Sequence, residues 1–162
     1  MREAVAAEAK QEIEIVQANW RDLGELRELE KKCFPQDVWP IWDMIGVLTL
    51  PNMARFKAVM DGKMVGFIAG DPRAGGKTAW IATIGVLPDY RRRGIGRALL
   101  ERCEDDLKAP VLRLCVRASN KGAQELYAQC GYSFQEVWKS YYHDGEDAFV
   151  LFKQRSLRGS RL

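Results

Sequence analysis

Hydrophobic positions along the chain recur with two periods, and each change of period marks an element. Residues 12–17, Glu-Ile-Glu-Ile-Val-Gln, alternate as a half-buried strand does. From Asp22 the period lengthens. Leu23, Leu26, Leu29 and Cys33 share one helical face, with Asp22 as candidate N-cap and Phe34-Pro35 as the stop. Residues 36–51 hold two tryptophans around Pro40, and a short helix is expected over 41–50. Strands follow over 56–60 and 63–69, joined by Asp61-Gly62, a two-residue hairpin signal. Residues 70–77, rich in Gly and Pro, read as a loop. Residues 79–87 crowd Trp80, Ile81, Thr83, Ile84 and Val86 into an uncharged strand, closed by Pro88 and Asp89. Ile95, Ala98, Leu99, Cys103 and Leu107 then predict a helix ending near Lys108. A strand over 111–116 precedes a helix over 121–130, with Ala123, Leu126, Tyr127 and Cys130 at i, i+3, i+4 and i+7. Asn120 and Gly131 stand at its cap positions. Strands over 132–139 and 148–153 close the series.

The resulting order is β-α-α-β-β-β-α-β-α-β-β. It implies an α+β fold, a sheet with helices on both faces. Residues 12–155 form one domain in this reading. Residues 1–11 are polar, Ala-rich and expected to be disordered, and 156–162 are expected to form a flexible basic tail.

Composition narrows the class without changing the elements. A chain of 162 residues, 47% hydrophobic and 29% charged, fits one soluble globular domain. The net charge of +3 is too mild to imply nucleic-acid binding by itself. Four cysteines (Cys33, Cys103, Cys115, Cys130) lie far apart with a single His for company, which argues against a metal site. Three of them sit in apolar patterns, as free thiols of a reducing compartment do. Residues 4–11 are broken by Glu8 and Lys10 and make no signal core, and no apolar run approaches a membrane span. A cytoplasmic enzyme or binding domain is the expectation.

The chemistry concentrates where the strand over 79–87 meets the next helix. Arg91-Arg92-Arg93-Gly94-Ile95-Gly96 opens that helix, and its unpaired first amides, with the helix dipole, make an anion site. Two glycines admit a ligand close to the backbone, and three arginines raise the local potential. A dinucleotide fingerprint is excluded, since Leu99 stands where its third glycine belongs and the next strand ends without an acid. No Gly-Lys-Ser/Thr follows, which excludes a P-loop.

Arg91-x-x-Gly94-x-Gly96 resembles the pyrophosphate loop of the GNAT acetyltransferases. Val116-Arg117-Ala118-Ser119-Asn120, followed by Ala123, Leu126-Tyr127 and Gly131-Tyr132, looks like the bacterial ribosomal-protein alanine N-acetyltransferases (the RimI group). It looks equally like the archaeal and eukaryotic catalytic subunits that act on protein N-termini. Tyr141-Tyr142-His143-Asp144-Gly145-Glu146-Asp147-Ala148 extends the match. The resemblance implies the GNAT fold: a mixed, mostly antiparallel sheet of about seven strands with about four helices. Its fourth and fifth strands splay apart to admit acetyl-CoA.

It also implies acetyl-CoA as co-substrate, no metal, and direct attack by a primary amine. The expected acceptor is the α-amine of a peptide or protein N-terminus, with no membrane or nucleic-acid partner and a monomer or dimer. Backbone at Ile84, Gly85 and Val86 would meet the thioester, and Arg91, Arg92, Arg93, Gly94, Ile95, Gly96 and Arg97 the pyrophosphate. Asn120 would lie near the pantetheine as well as capping its helix. Tyr127 would protonate the departing thiolate; by periodicity alone it is a core tyrosine with a satisfied hydroxyl. Phe34, Tyr141 and Tyr142 would line the peptide slot.

The chain departs from the family at Cys115, where many relatives carry a Glu that serves as base. A thiol with a reference pKa of about 8.5 is a poor substitute. Asp37, in the loop after the first helix, is the nearest carboxylate expected to serve instead, with His143 and Glu146 as weaker candidates. Three other readings stay open at this point: a lysine or small-molecule amine as acceptor, a non-catalytic acyl-CoA sensor, and a ribosome-associated module using Arg91–Arg93 and the tail arginines.

Overall fold

The computed structural model describes residues 11–73 and 75–156, so the expected disordered start and basic tail lie outside it apart from Gln11 and Ser156. The strands are β1 (Glu14–Gln17), β2 (Ala54–Met60), β3 (Lys63–Pro72), β4 (Thr78–Val86), β5 (Val111–Arg117), β6 (Ser133–Trp138) and β7 (Ala148–Gln154). The helices are α1 (Leu23–Cys33), α2 (Ile41–Thr49), α3 (Ile95–Leu107) and α4 (Lys121–Gln129), with short 3₁₀ turns at Trp20–Asp22 and Pro88–Tyr90. Among the described residues one seven-stranded sheet runs in the order β1-β2-β3-β4-β5-β7-β6, and only its β4–β5 pair is parallel.

Two local readings are corrected by the structure. Asn19, not Asp22, caps the first helical turn: its Oδ1 accepts the Arg21 amide at 3.0 Å, while Asp22 accepts the Asn19 amide at 2.8 Å. Asp22 is thus the acidic half of a capping box, and it also pairs with Lys57 of β2 at 2.6 Å. The expected loop from residue 70 starts too early, because β3 continues to Pro72. Gly70 is there to let α3 approach. A Cβ at this position would lie 2.6 Å from Leu107 and 2.9 Å from the Cys103 sulfur. The Asp61-Gly62 hairpin turn is as read, with φ of 50° and 73°, both positive as a type I′ turn requires.

Helices cover the sheet unevenly. α3 packs on β2, β3 and β4 from one face, and α1 on β3 and β4 from the other. Glycines mark both contacts: a Cβ at Gly66 would strike Leu99 and Ile95 of α3, and one at Gly85 would crowd Leu29 and Cys33 of α1 and the adjoining Phe34.

The feature that positions the site is a split in the sheet. β4 and β5 pair only at Thr78–Trp80 with Val111–Arg113, and then separate. β5 stays with β7 along its whole length. β4 stays with β3 but takes an irregular step where Ala69 faces Thr83 and Gly70 faces Ile81. The extra residue is Ala82. A bulge bends its own strand and increases the local twist, and here β4 turns away from β5.

Candidate active site

The split opens onto the N-terminus of α3. Pro88–Tyr90 turns the chain out of β4, Arg92 and Gly94 take positive φ (60° and 79°), and α3 starts at Ile95 with no side-chain cap. The first-turn amides therefore remain open to an anion, which fits the pyrophosphate of a coenzyme A thioester. Gly94 has open space around it, as a close ligand approach needs. Gly96 has a second reason to be glycine: a Cβ there would lie 3.1 Å from Leu126, so it sets how near α4 comes to α3.

The arginines divide. Arg91, though exposed, folds back on its own strand, its Nε donating to the Val86 carbonyl at 3.0 Å. The Arg93 guanidinium lies over the Tyr90 ring at 5.3 Å, and Arg97 donates to the Gln129 carbonyl at 3.2 Å. Arg92 is exposed beside the glycines. These side chains surround the cradle, and the backbone forms it.

On the far side of the split, α4 presents Asn120 and Tyr127. Asn120 Oδ1 accepts the Ala123 amide at 3.1 Å, which makes it the helix cap. The Tyr127 ring is buried and meets the Tyr132 ring edge-on at 6.0 Å. The two hydroxyls differ. Tyr132 donates to the buried Glu104 at 2.9 Å, and Lys153 completes that pair at 2.8 Å. The Tyr127 hydroxyl has no hydrogen-bond partner among the described residues, and burial holds its pKa above the ordinary tyrosine range. A core tyrosine used only for packing satisfies its hydroxyl, as Tyr132 does. Tyr127 keeps its proton and leaves it unshared.

The open half of the sheet, uncovered by α1, carries an aromatic and ionic wall. Along β5, Arg113, Cys115 and Arg117 alternate with the buried Leu112, Leu114 and Val116. Trp80 and Trp138 stack at 5.7 Å, Trp138 meets Tyr141 at 5.4 Å, and Tyr141 meets Tyr142 edge-on at 5.1 Å. The row ends at Arg117, whose guanidinium lies over the Tyr142 ring at 4.1 Å.

Arg117 is the joint of this wall. Its Nε and Nη2 hold both oxygens of Asp37 at 2.8 and 2.7 Å, and its Nη1 holds Asp144 and Glu146, each at 2.9 Å. It thereby ties the α1–α2 connection to the β6–β7 connection. Asp37 foremost raises the arginine's pKa further, so it is charged at every working pH. Glu146 also accepts the Ser119 amide at 2.8 Å, and the Ser119 hydroxyl first, then this amide, both ahead of Arg117, lower its pKa. Asp144 is lowered first by the Glu146 amide.

This geometry bears on three sequence expectations. Asp37 is not placed as a free base, because both its oxygens are engaged by Arg117 in a two-point pair. Cys115 faces the slot, yet burial first and Glu136 second push its thiol up to about 11, so it is neutral near pH 7. Glu146 holds the turn and the arginine. Phe34 lies against β4, its ring 3.2 Å from where a Gly85 Cβ would stand, and Tyr141 is exposed while Tyr142 is half-buried.

One titratable group escaped the sequence reading. Glu30 is buried on α1, its pKa raised by burial from 4.5 to about 7. A signal was present: Leu26, Leu29, Glu30 and Cys33 stand at i, i+3, i+4 and i+7, which puts Glu30 on the apolar face. The carboxyl is neutral longer in the folded chain than in the unfolded one. Its stabilising contribution is complete below pH 4.5 and is lost as pH rises through about 7. Glu30→Gln removes that loss. The variant's stability advantage over wild type should be larger at pH 8 than at pH 5 by about 2–3 kcal/mol, read from chemical denaturation at both pH values.

Comparison with known proteins adds the family to this geometry. The family model described as Acetyltransferase (GNAT) family matches residues 20–132. An N-alpha-acetyltransferase of Sulfurisphaera tokodaii is 32% identical over 161 residues, covering 90% of this chain and 96% of that protein. The crystal structure of the ribosomal-protein-S18-alanine N-acetyltransferase from Escherichia coli superimposes with a TM-score of 0.82 at 30% identity, covering 93% of this chain and 99% of the other. The NatC complex bound to Gag peptide and CoA shares the fold, with a TM-score of 0.77 at 21% identity over 90% of this chain and 99% of that one.

Proposed function

Since the chain belongs to the GNAT acetyltransferase family, we propose that it moves the acetyl group of acetyl-CoA to the N-terminal α-amine of a protein or peptide. The thioester supplies an activated acyl carbon, and the protein supplies position and protons. The open amides at the start of α3 take the pyrophosphate. The backbone of β4 at Ile84–Val86, paired with β3 but left free on the β5 side, receives the thioester oxygen as it gains charge. The unshared Tyr127 hydroxyl gives its proton to the departing thiolate.

The observation that carries the choice of amine is the neutral thiol of Cys115 in the slot. An α-ammonium has a reference pKa of about 7.7–8.0, so a useful fraction is already neutral at about pH 7.5. A lysine ammonium near 10.4 would need a strong base facing it. A thiol that ionises near 11 does not act as one at neutral pH. The Tyr141–Tyr142 wall, anchored by Arg117, suits the first residues of an extended peptide.

The test is a peptide carrying both a free α-amine and an internal lysine, incubated with acetyl-CoA and fragmented by mass spectrometry. Acetyl groups are expected on the α-amine. Their appearance on the lysine alone would reject the proposal.

A further inference from the structure

The same reading leaves a proton without a destination, and Glu30 is placed to take it. α1 lies across β4 where the sheet splits, with Leu29, Cys33 and Phe34 crowding Gly85. Glu30 is 1% exposed on that helix. One oxygen, Oε1, accepts from the Thr83 hydroxyl at 3.4 Å, and the nearby Trp39 backbone adds a smaller pull that favours the ionised form. The other oxygen, Oε2, is buried and has no partner among the described residues. A buried carboxyl oxygen with nothing to bind is costly, and such exceptions call for a reason.

Position supplies the reason. Thr83 directly precedes Ile84–Val86, on the stretch of β4 that β5 leaves unpaired. Trp39 belongs to the same α1–α2 connection as Asp37, which Arg117 pins to the peptide wall. The carboxyl therefore lies beneath the corner where the oxyanion strand and the slot meet.

Resting on the α-amine reading above, we propose that Glu30 is the terminal acceptor of the proton lost by the substrate ammonium, reached through the Thr83 hydroxyl. In this step an ammonium N–H bond breaks, Thr83 passes a proton on as it receives one, and an O–H bond forms on Glu30. The neutral amine then attacks the thioester carbon. Its second proton leaves as the amide forms and restores the tyrosine that protonated the thiolate. Glu30 returns its proton to solvent, so each turnover yields the amide, a free thiol and one proton.

The energetics match this role. Burial is the main cause of the shift to about 7, and Thr83 and the Trp39 backbone oppose it. On its own helix the titratable neighbour is Cys33, whose thiol burial raises and Arg91 pulls back. The β4 and loop contacts are the uncharged Thr83 hydroxyl and Trp39 backbone. An acceptor near 7 takes a proton from an α-ammonium against a gap of roughly one pKa unit, and from a lysine against roughly three or more. A base close to the working pH is what general-base catalysis selects. Thr83 makes Glu30 a relay partner: it acts on the amine through another group.

The experiment compares Glu30→Gln, Glu30→Asp, Thr83→Val and Thr83→Ser with wild type. It measures kcat/KM from about pH 6 to 9 on a free-α-amine peptide, acetyl-CoA affinity by calorimetry, and carboxyl ¹³C titration. Glu30→Gln and Thr83→Val should lose tenfold or more near pH 7, at the low end of acid–base effects or beyond it (~10²). The loss should shrink towards pH 9 as solvent deprotonates the amine. Thr83→Ser and Glu30→Asp should recover part of the activity, and acetyl-CoA affinity should hold throughout. A carboxyl resonance titrating near pH 7 should vanish in Glu30→Gln.

A wild-type profile in Glu30→Gln, or a loss equal at every pH, would overturn the proposal. If Glu30→Gln fails to fold, Thr83→Val decides by the same criteria. If wild type acetylates only lysine, the α-amine reading fails separately, and the same pH comparison on the lysine peptide still decides the part played by Glu30.

Discussion

Tyr127→Phe will give a folded protein that binds acetyl-CoA and turns over roughly 10²-fold more slowly. The ring's contacts, including the 6.0 Å edge-on packing with Tyr132, survive the substitution. Only a hydroxyl with no protein partner among the described residues is removed, so stability should change little. Chemistry suffers because the thiolate then leaves without a nearby acid. Burial holds the Tyr127 pKa above its ordinary range, so the proton stays in place across the working pH and no alkaline loss below about pH 9 should come from this group. Tyr132→Phe is the contrast. It leaves Oε1 of the buried Glu104 without its hydroxyl donor, while Lys153 and Arg155 remain at Oε2, so it should lower stability more than turnover. Wild-type turnover in Tyr127→Phe would return this residue to the core.

Arg117→Ala will damage the slot and the fold together. The guanidinium is 14% exposed and holds three carboxylates from two connections. Its removal leaves Asp37, Asp144 and Glu146 without their shared cation, and Tyr142 without the charge over its ring. Asp144 is half-exposed and Glu146 partly so, and solvent screens part of the loss, so the melting temperature should fall by less than it would for a fully buried pair. Peptide KM should rise tenfold or more while KM for acetyl-CoA stays near wild type, because the cradle lies across the split. Arg117→Lys should recover little, since one ammonium cannot reproduce the two-point grip on Asp37. Thermal melts and the two KM values check this; unchanged peptide KM in a folded Arg117→Ala protein would detach the wall from substrate binding.

The parts of the fold that sequence made legible are those written in local pattern. The hairpin at Asp61-Gly62 depends on two residues that accept positive φ, and Asn120 and Gly131 bracket α4 by their own chemistry. The open start of α3 was legible because Gly94 and Gly96 stand just where the apolar face of the helix begins, although the packing use of Gly96 against Leu126 was not. The rest depended on distant contacts. Gly70 looked like a loop residue until Leu107 of α3 was seen against it. Asp37 and Arg117 are 80 positions apart, and nothing local says that one would occupy the other. The Tyr127 hydroxyl was ambiguous in sequence, because only the environment distinguishes an unshared proton from a satisfied one. Glu30 stood on an apolar face in plain view, but its burial and its unpartnered oxygen come from the packing of α1 on β4.

The most direct measurement is thiol release from acetyl-CoA with one short peptide in two forms, one with a free N-terminus and one N-terminally blocked, both retaining an internal lysine. The geometry of a neutral Cys115 beside an anchored aromatic wall predicts release with the free form and only background with the blocked one. Equal release from both forms would contradict it.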